Sequence, residues 1–339
     1  LEANFDPDEA FIAEFEKEFI KGKKEKIIIQ GPVLDNNNKT TGGQFSVDVE
    51  RMINYQLDEK TTTDHPAIIE LINGRKILGK ESVTINTTNS AGQSFGAFNN
   101  SGITLIHKGT CNDGVGKAQT GGVIVVKNPG FSKKIENENE NVLVGNFALF
   151  GAMGGELFVE GQGGDRFGVR NSGAVAVVEG VGDFCCEYMT NGAIVNLGSY
   201  GKGFGNGMSG GTAYQYDPSK QLPESCSQDS IEVFPIDEDD TLARGNEEAL
   251  LNHLNSHKER TNSKLVTTIL ENWEEERKHF YYIIPKSLIN YHRGENILKM
   301  LKRKAMIEEL SVAVAKNNVK VIADAYQSKK ELFEGAVPS

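Results

Sequence analysis

The sequence predicts a mainly β fold: a right-handed parallel β-helix with α-helical flanks at its N- and C-terminal ends. Three observations carry that expectation. Of 37 glycines, 28 fall between Gly92 and Gly211. Within that stretch a glycine followed by a short β-prone segment recurs as Gly102-Ile-Thr-Leu-Ile, Gly122-Val-Ile-Val-Val, Gly155-Glu-Leu-Phe-Val, Gly173-Ala-Val-Ala-Val, Gly192-Ala-Ile-Val-Asn and Gly211-Thr-Ala-Tyr-Gln. The spacings are 20, 33, 18, 19 and 19 residues, and a fixed period near 19 is a solenoid signature. Finally, no helical pattern occurs between Gly145 and Gly211, whereas a doubly wound α/β sheet needs crossovers of a dozen or more residues.

The period also sets an expected inward face. Strand side chains alternate, so the second and fourth residues after each glycine share a side. These are Thr104, Ile124, Leu157, Val175, Ile194 and Ala213, then Ile106, Val126, Val159, Val177, Asn196 and Gln215. A charge at Val175 is therefore expected to unfold the solenoid. Asn196 and Gln215 are expected to stack as an amide ladder or to mark the end of the barrel. The 33-residue spacing contains a polar insert, Asn128 to Asn141.

The flanks read differently. Residues 1–80 form an α+β lead-in. Asp6-Pro7 reads as N-cap and first helical position, Phe11, Phe15 and Phe19 line one face, and Gly22 ends the helix. Lys26 to Gln30 is a strand stopped by Gly31-Pro32, and a second helix covers Val47 to Tyr55. The solenoid takes 81–217. A closing segment, 218–292, holds an acidic loop at Asp237 to Asp240, a helix with Leu250, Leu251 and Leu254, and a second helix with Leu265, Ile269, Leu270 and Trp273, capped by Asn262 or Ser263. A strand from Phe280 to Pro285 follows. Residues 293–339 are a Lys-rich helical tail or linker.

Composition narrows the function. The 339 residues carry a net charge of -11, which gives no electrostatic reason to bind nucleic acid or an anionic membrane. No stretch of about 18 apolar residues is present to span a bilayer. The first residues, Leu1-Glu2-Ala3-Asn4, lack a signal pattern and an initiator Met, so a processed chain or a piece of a longer one is expected. Four cysteines without a C-x-x-C motif fit a reducing compartment and argue against a zinc or iron–sulfur site on this chain.

The chemistry-bearing candidates each have a structural alternative. Gly205-Asn206-Gly207-Met208-Ser209-Gly210 matches a dinucleotide fingerprint, but a strand pattern follows where a helix is required. It therefore reads as a β-helix corner. Gly116-Lys117 is followed by Ala118, so there is no phosphate-binding P-loop. Cys185 and Ser94 are possible nucleophiles, with His107 the one histidine of the repeat region; packing of Cys185-Cys186 is the favoured reading. Glu179, Asp183 and Glu187 offer an acid/base pair, against solvated or ion-paired corners. Asp165-Arg166 and Arg170 offer anion binding, against structural pairing. Asn86-Thr87-Thr88 and Asn99-Asn100-Ser101 match the glycosylation sequon.

Longer motifs carry a resemblance. Ser90 to Phe98 (SAGQSFGAF), Asn112 to Lys117 (NDGVGK), Gly121 to Val126, Gly145-Asn146, Phe150 to Leu157, Arg166 to Ala174, Val178 to Asp183, Cys186 to Gly192 and Gly207 to Tyr214 resemble, in order, the C-terminal β-helix domain of the glutamate synthase large subunit. Thr41 to Ser46, Ile269 to Glu275 and Ile284-Pro285 extend the likeness to about residues 5 to 290. The resemblance implies a scaffold that is not catalytic alone. It would hold the amidotransferase and FMN-binding domains in register for ammonia channelling, while glutamine, 2-oxoglutarate and a reductant give two glutamates. No family catalytic, cofactor-binding or metal-ligating residue maps onto this chain; FMN and the Fe–S cluster are expected in the partner domains, along with a possible electron-donating subunit. The expected compartment is the cytoplasm, or the stroma in a plastid-bearing organism. Two alternatives stand beside it: a β-helix enzyme acting on polysaccharide, and a β-helical subunit of another redox complex such as formylmethanofuran dehydrogenase.

Overall fold

The computed structural model describes residues 6–130, 141–227, 229–239 and 241–292. The tail from residue 293 and most of the Asn128–Asn141 insert lie outside these, as does Asp240 of the acidic loop. One compact unit extends to Pro285 and a second begins at Lys286.

The lead-in is built on aromatic packing. Asp6 caps α1 (Pro7–Glu14) by accepting the Asp8 N–H at 3.0 Å. The helix runs on as a π-helical stretch, Phe15–Lys21, and ends at Gly22. Phe11, Phe15 and Phe19 are all buried; Phe15 stacks on Phe19 and meets Phe45 edge-on. Strand β1 (Ile27–Leu34) passes through Gly31-Pro32, where the sequence predicts a stop. A bulge between Gln30 and Val33 absorbs the proline, at an edge strand where a missing N–H is tolerated. Helix α2 (Gly43–Arg51) begins before Val47 and continues as Met52–Gln56. Its first amides explain the earlier start: the buried Asp8 carboxylate accepts the N–H groups of Gly42 at 2.7 Å and Phe45 at 2.9 Å. Helix α3 (Glu59–Thr63) and a hairpin of β2 (Ile68–Glu70) and β3 (Lys76–Leu78) lead into the solenoid.

The solenoid has about six turns. Its strands are β4 (Val83–Ala91), β5 (Ile103–Cys111), β6 (Thr120–Lys127), β7 (Val142–Val144), β8 (Gly154–Val159), β9 (Gln162–Gly163), β10 (Ser172–Val178), β11 (Thr190–Asn196) and β12 (Gly210–Tyr216). The main sheet runs β1-β4-β5-β6-β8-β10-β11-β12, each pair parallel. Register sets the inner ladders. One is Ile85, Leu105, Ile124, Leu157, Ala176, Ile194 and Ala213; the next is Thr87, His107, Val126, Val159, Val178, Asn196 and Gln215.

Eight of the twelve expected inward positions lie on these ladders. Thr104, Ile106, Val175 and Val177 do not. Register places Thr104 opposite Val123, so Gly102 aligns with Gly121 rather than Gly122. Register likewise places Val175 opposite Glu156, so Gly173 aligns with Gly154 rather than Gly155 and Ala174, Ala176 and Val178 face inward. A one-residue slip reverses every side chain of a strand. Asn196 and Gln215 do form an amide ladder: Asn196 Nδ2 donates to Gln215 Oε1 at 2.7 Å, and Gln215 Nε2 donates to the Gly198 and Tyr216 carbonyls. At the opposite end, His107 Nδ1 lies 2.9 Å from Thr87 Oγ1 and its Nε2 faces the carbonyls of Asn89 and Thr110.

The C-terminal segment covers the outer face. After α4 (Leu222–Ser225) and β13 (Ile231–Pro235) come α5 (Thr241–Thr261), α6 (Lys264–Glu271), α7 (Trp273–Glu276) and β14 (Phe280–Pro285). Helix α5 packs on β6, β8 and β10, with the His257 ring 6.0 Å from that of Phe158. Val177, in register with Phe158, is thus buried on the outer face. Ser263 caps α6, whereas Trp273 starts α7 instead of ending α6. Strand β14 pairs antiparallel with both β12 and β13 and closes the sheet. The second unit is described as helix α8 (Lys286–His292).

Two measurements check this architecture. Ala176→Asp puts an unpaired charge on the inner ladder and should cost at least about 3 kcal/mol, abolishing a cooperative melt. Val175→Asp, half-buried on the outer face, should melt cooperatively after a loss of about 1 kcal/mol. Burial pushes the Asp8 carboxyl up to about 6, against the pull of the Gly42 and Phe45 amides. Between about pH 4 and that value the folded chain holds a proton that the unfolded chain has released. Asp8's contribution to stability should therefore be full below about pH 4 and fall as pH rises through 6. Denaturant titrations of the parent and Asp8→Asn across this window should show the dependence in the parent alone.

Candidate functional site

The repeated corners between strands are the most distinctive geometry in the chain. Six five-residue corners occur: 94–98, 114–118, 147–151, 166–170, 184–188 and 203–207. In each, the first, third and fifth residues have left-handed φ, from 46° at Phe147 to 75° at Gly114. In the first five of these corners the first and fifth N–H groups donate forward along the column, and in all six the third donates back. Arg166 N–H bonds the Asp183 carbonyl at 2.7 Å, Arg170 N–H that of Glu187 at 2.9 Å, and Gly168 N–H that of Ala148 at 2.9 Å. The second residue is buried in every corner: Phe95, Val115, Ala148, Phe167, Cys185 and Phe204.

Left-handed backbone costs an L-residue roughly 1–2 kcal/mol, yet Phe147, Leu149, Arg166, Arg170, Phe184, Cys186 and Tyr188 all adopt it. Hydrogen bonds on both sides hold them there. The last corner alone is glycine at all three positions, Gly203, Gly205 and Gly207. A Cβ at Gly203 or Gly207 would strike the Phe184 or Tyr188 ring, and one at Gly205 would meet Ile231. This is the segment that mimics the dinucleotide fingerprint, and β12, a strand, follows it.

A row of side chains precedes the corners. The Asp113 carboxylate accepts the Asn146 N–H at 2.7 Å. Asn146 Oδ1 then accepts from Asp165 N–H at 2.9 Å, Asp165 from Asp183 at 2.9 Å and Asp183 from Lys202 at 3.1 Å. The glycine before each donating residue makes room, since a Cβ at Gly145, Gly164, Gly182 or Gly201 would collide with the accepting Asx oxygen of the coil before. The Gly-Asn and Gly-Asp pairs at coil spacing were a readable signal for this row.

The proposed acid/base trio is dispersed. Asp183 belongs to the Asx row, and Glu187 lies 3.7 Å from Arg166. Glu179 is neither solvated nor at an open corner. It is 2% exposed, and its Oε1 accepts from Ser263 Oγ and lies 3.0 Å from His257 Nε2, both partners equally sealed. His257 and Ser263 stand 78 and 84 residues further along the chain, so no local pattern could have named them. The network fastens α5 and the start of α6 to the end of β10.

The other candidates are structural too. Arg166 and Arg170 lie over the Phe184 and Tyr188 rings at 5.9 and 6.0 Å. Cys185 is buried with its sulfur 3.6 Å from that of Cys186, and burial raises its thiol well above the usual range. Burial also lowers the pKa of His107, which packs against Phe95 rather than serving Ser94. Asn99 is buried and bonds the Ile103 and Gly121 carbonyls, so it is no glycan acceptor. All four cysteines are free and buried. Among the described residues no group of three or more His, Cys, Asp and Glu side chains could hold a metal ion. No described helix is long and apolar enough to cross a membrane.

Residues 51–286 match the family model described as GXGXG motif. The chain belongs to the GXGXG family. The alternating left-handed corners give that name its physical meaning. The chain is 38% identical over 280 residues to ferredoxin-dependent glutamate synthase 2 of Synechocystis, covering 78% of this chain and 17% of that protein. It is 43% identical over 211 residues to the ferredoxin-dependent enzyme of Pyropia yezoensis, covering 62% and 13%. Against the NADPH glutamate synthase large chain of Bacillus subtilis it is 40% identical over 216 residues, covering 63% and 14%. It thus spans a small part of the length of the curated relatives it matches, and corresponds to a glutamate synthase domain.

Glu179→Ala should cost about 1–3 kcal/mol for each buried partner left unsatisfied. Hydrogen exchange should then show α5 and α6 opening before the inner strands.

Proposed function

We propose that this GXGXG domain serves glutamate synthase as a non-catalytic scaffold. It holds the glutamine-hydrolysing and flavin-binding parts of the enzyme in register, so that ammonia released at one is consumed at the other. The observation that carries the reading is the family match over 51–286 together with the use of the chain's candidate reactive groups in folding. Glu179 is sealed under α5, Asp165 and Asp183 bond backbone amides of the next coil, and the Cys185 thiol is held protonated by burial. A rigid column whose corners interlock from coil to coil is suited to setting distances between other domains.

FMN and the iron–sulfur cluster would then be held by those other domains, in a reducing compartment such as the cytoplasm or the plastid stroma. The spinach relative is described as chloroplastic. Nothing in the geometry favours a polysaccharide-cleaving cleft, since Glu179, Asp183 and Glu187 do not converge. The names of the relatives favour glutamate synthase over formylmethanofuran dehydrogenase.

The test is a visible absorption spectrum of the chain purified untagged from its native source. Flavin and iron–sulfur bands that co-elute with it are the expected result. A colourless, monodisperse chain would overturn the scaffold reading.

A further inference from the structure

In the solenoid, five described large apolar side chains are exposed: Phe98, Val142, Phe150, Met153 and Tyr188. Four of them follow one edge. Phe98 and Tyr188 are fifth corner residues, Phe150 is the fourth residue of its corner, and Met153 follows the same corner by two residues. Corner hydrogen bonds make this edge continuous, with Phe98 N–H donating to Lys117, Ala118 to Phe150, Gly151 to Val169 and Arg170 to Glu187. At about 4.8 Å per coil, Phe98 and Tyr188 stand roughly 19 Å apart. Ala118 and Gly151 add no bulk between them, and a Cβ at Gly151 would meet nothing within 4 Å. At the Phe98 end the strip opens on a recess of about 340 Å³, lined in part by Asp8, Gly43 and Val47.

Charge gives the strip a polarity. Arg170 lies over Tyr188 and has no ion pair among the described residues; neither has the exposed Lys117. Uncompensated cations beside exposed aromatics, in a chain of net charge -11, are complementary to an apolar surface bearing carboxylates. The relatives carry this segment as 13–17% of their length, so most of their chain lies outside it and includes other domains to dock.

We propose that this corner edge is the docking surface for another domain of the glutamate synthase large chain, one that presents apolar side chains to Phe150, Met153 and Tyr188 and a carboxylate to Arg170. The inference rests on the scaffold reading and adds the face on which it acts.

Hydroxyl-radical footprinting of the native assembly tests it. Tyr188 is 51% exposed and Tyr55, in the lead-in segment Met52–Gln56, 84%. The expected result is a Tyr188 oxidised several-fold more slowly than Tyr55, with Met153 protected alongside it. Equal oxidation relative to exposure, in an assembly that still carries flavin, overturns the docking face and leaves the scaffold reading standing. Recovery of the chain without flavin overturns both. Cross-links that join Tyr188 only to residues 293–339 of its own chain also overturn the proposal. In the second arm, Met153→Glu with Tyr188→Glu should reduce flavin retained on the assembly at least about tenfold while the melting profile stays parental, and Tyr55→Glu should not. Parental flavin content in the double variant overturns the proposal.

Discussion

Each coil of this solenoid must hand its backbone N–H groups to its neighbours, at the corners as well as along the strands. A β-ladder does this on straight segments. At a corner the chain turns and ladder geometry is lost, so the amides would face an interior that offers them nothing. Alternating left-handed residues restore the pairing: the first and fifth N–H groups point to one neighbouring coil and the third to the other. The rest of the architecture follows from that. The second corner residue is driven inward and must be apolar. The residue before the corner lines up with its equivalents and forms the Asx row. The glycine before that must lack a Cβ for the row to close.

The same constraint explains why glycine is only partly used. A corner bonded on both sides tolerates phenylalanine, leucine or arginine at positive φ, because any relaxation would break several hydrogen bonds at once. Bulk decides where glycine is needed. Beneath the Phe184 and Tyr188 rings no side chain fits, and the corner there is glycine throughout. Rings from one coil thereby write the sequence of the next.

Period, fold class and flanking helices were legible because each rests on local chemistry repeated at fixed spacing. The inward face was legible in the coils that start at Gly122, Gly155, Gly192 and Gly211. It was misread at Gly102 and Gly173, where an aligning glycine sits one place from its structural equivalent and the two-residue alternation turns one place into the opposite face. The strand through Gly31-Pro32 was cut short because an edge bulge that admits proline depends on its neighbour, β4. For the candidate site, Glu179, Asp183 and Glu187 were visible as acids, but their roles were not. Glu179 owes its environment to α5 and Ser263, which only the folded chain brings over it.

The antiparallel closure by β13 and β14 also bears on what the molecule avoids. A stack of parallel coils ends in a row of open amides and carbonyls, a template on which a second copy could continue the column indefinitely. Strand β14 enters against the direction of β12 and is covered on its other side by the short strand β13, so the edge of the last coil is taken up within the chain. At the other end, Pro32 and the bulge in β1 break the edge where an incoming strand would zip. The column is therefore finite by construction, and a fold whose internal logic is that of a fibre remains a discrete unit.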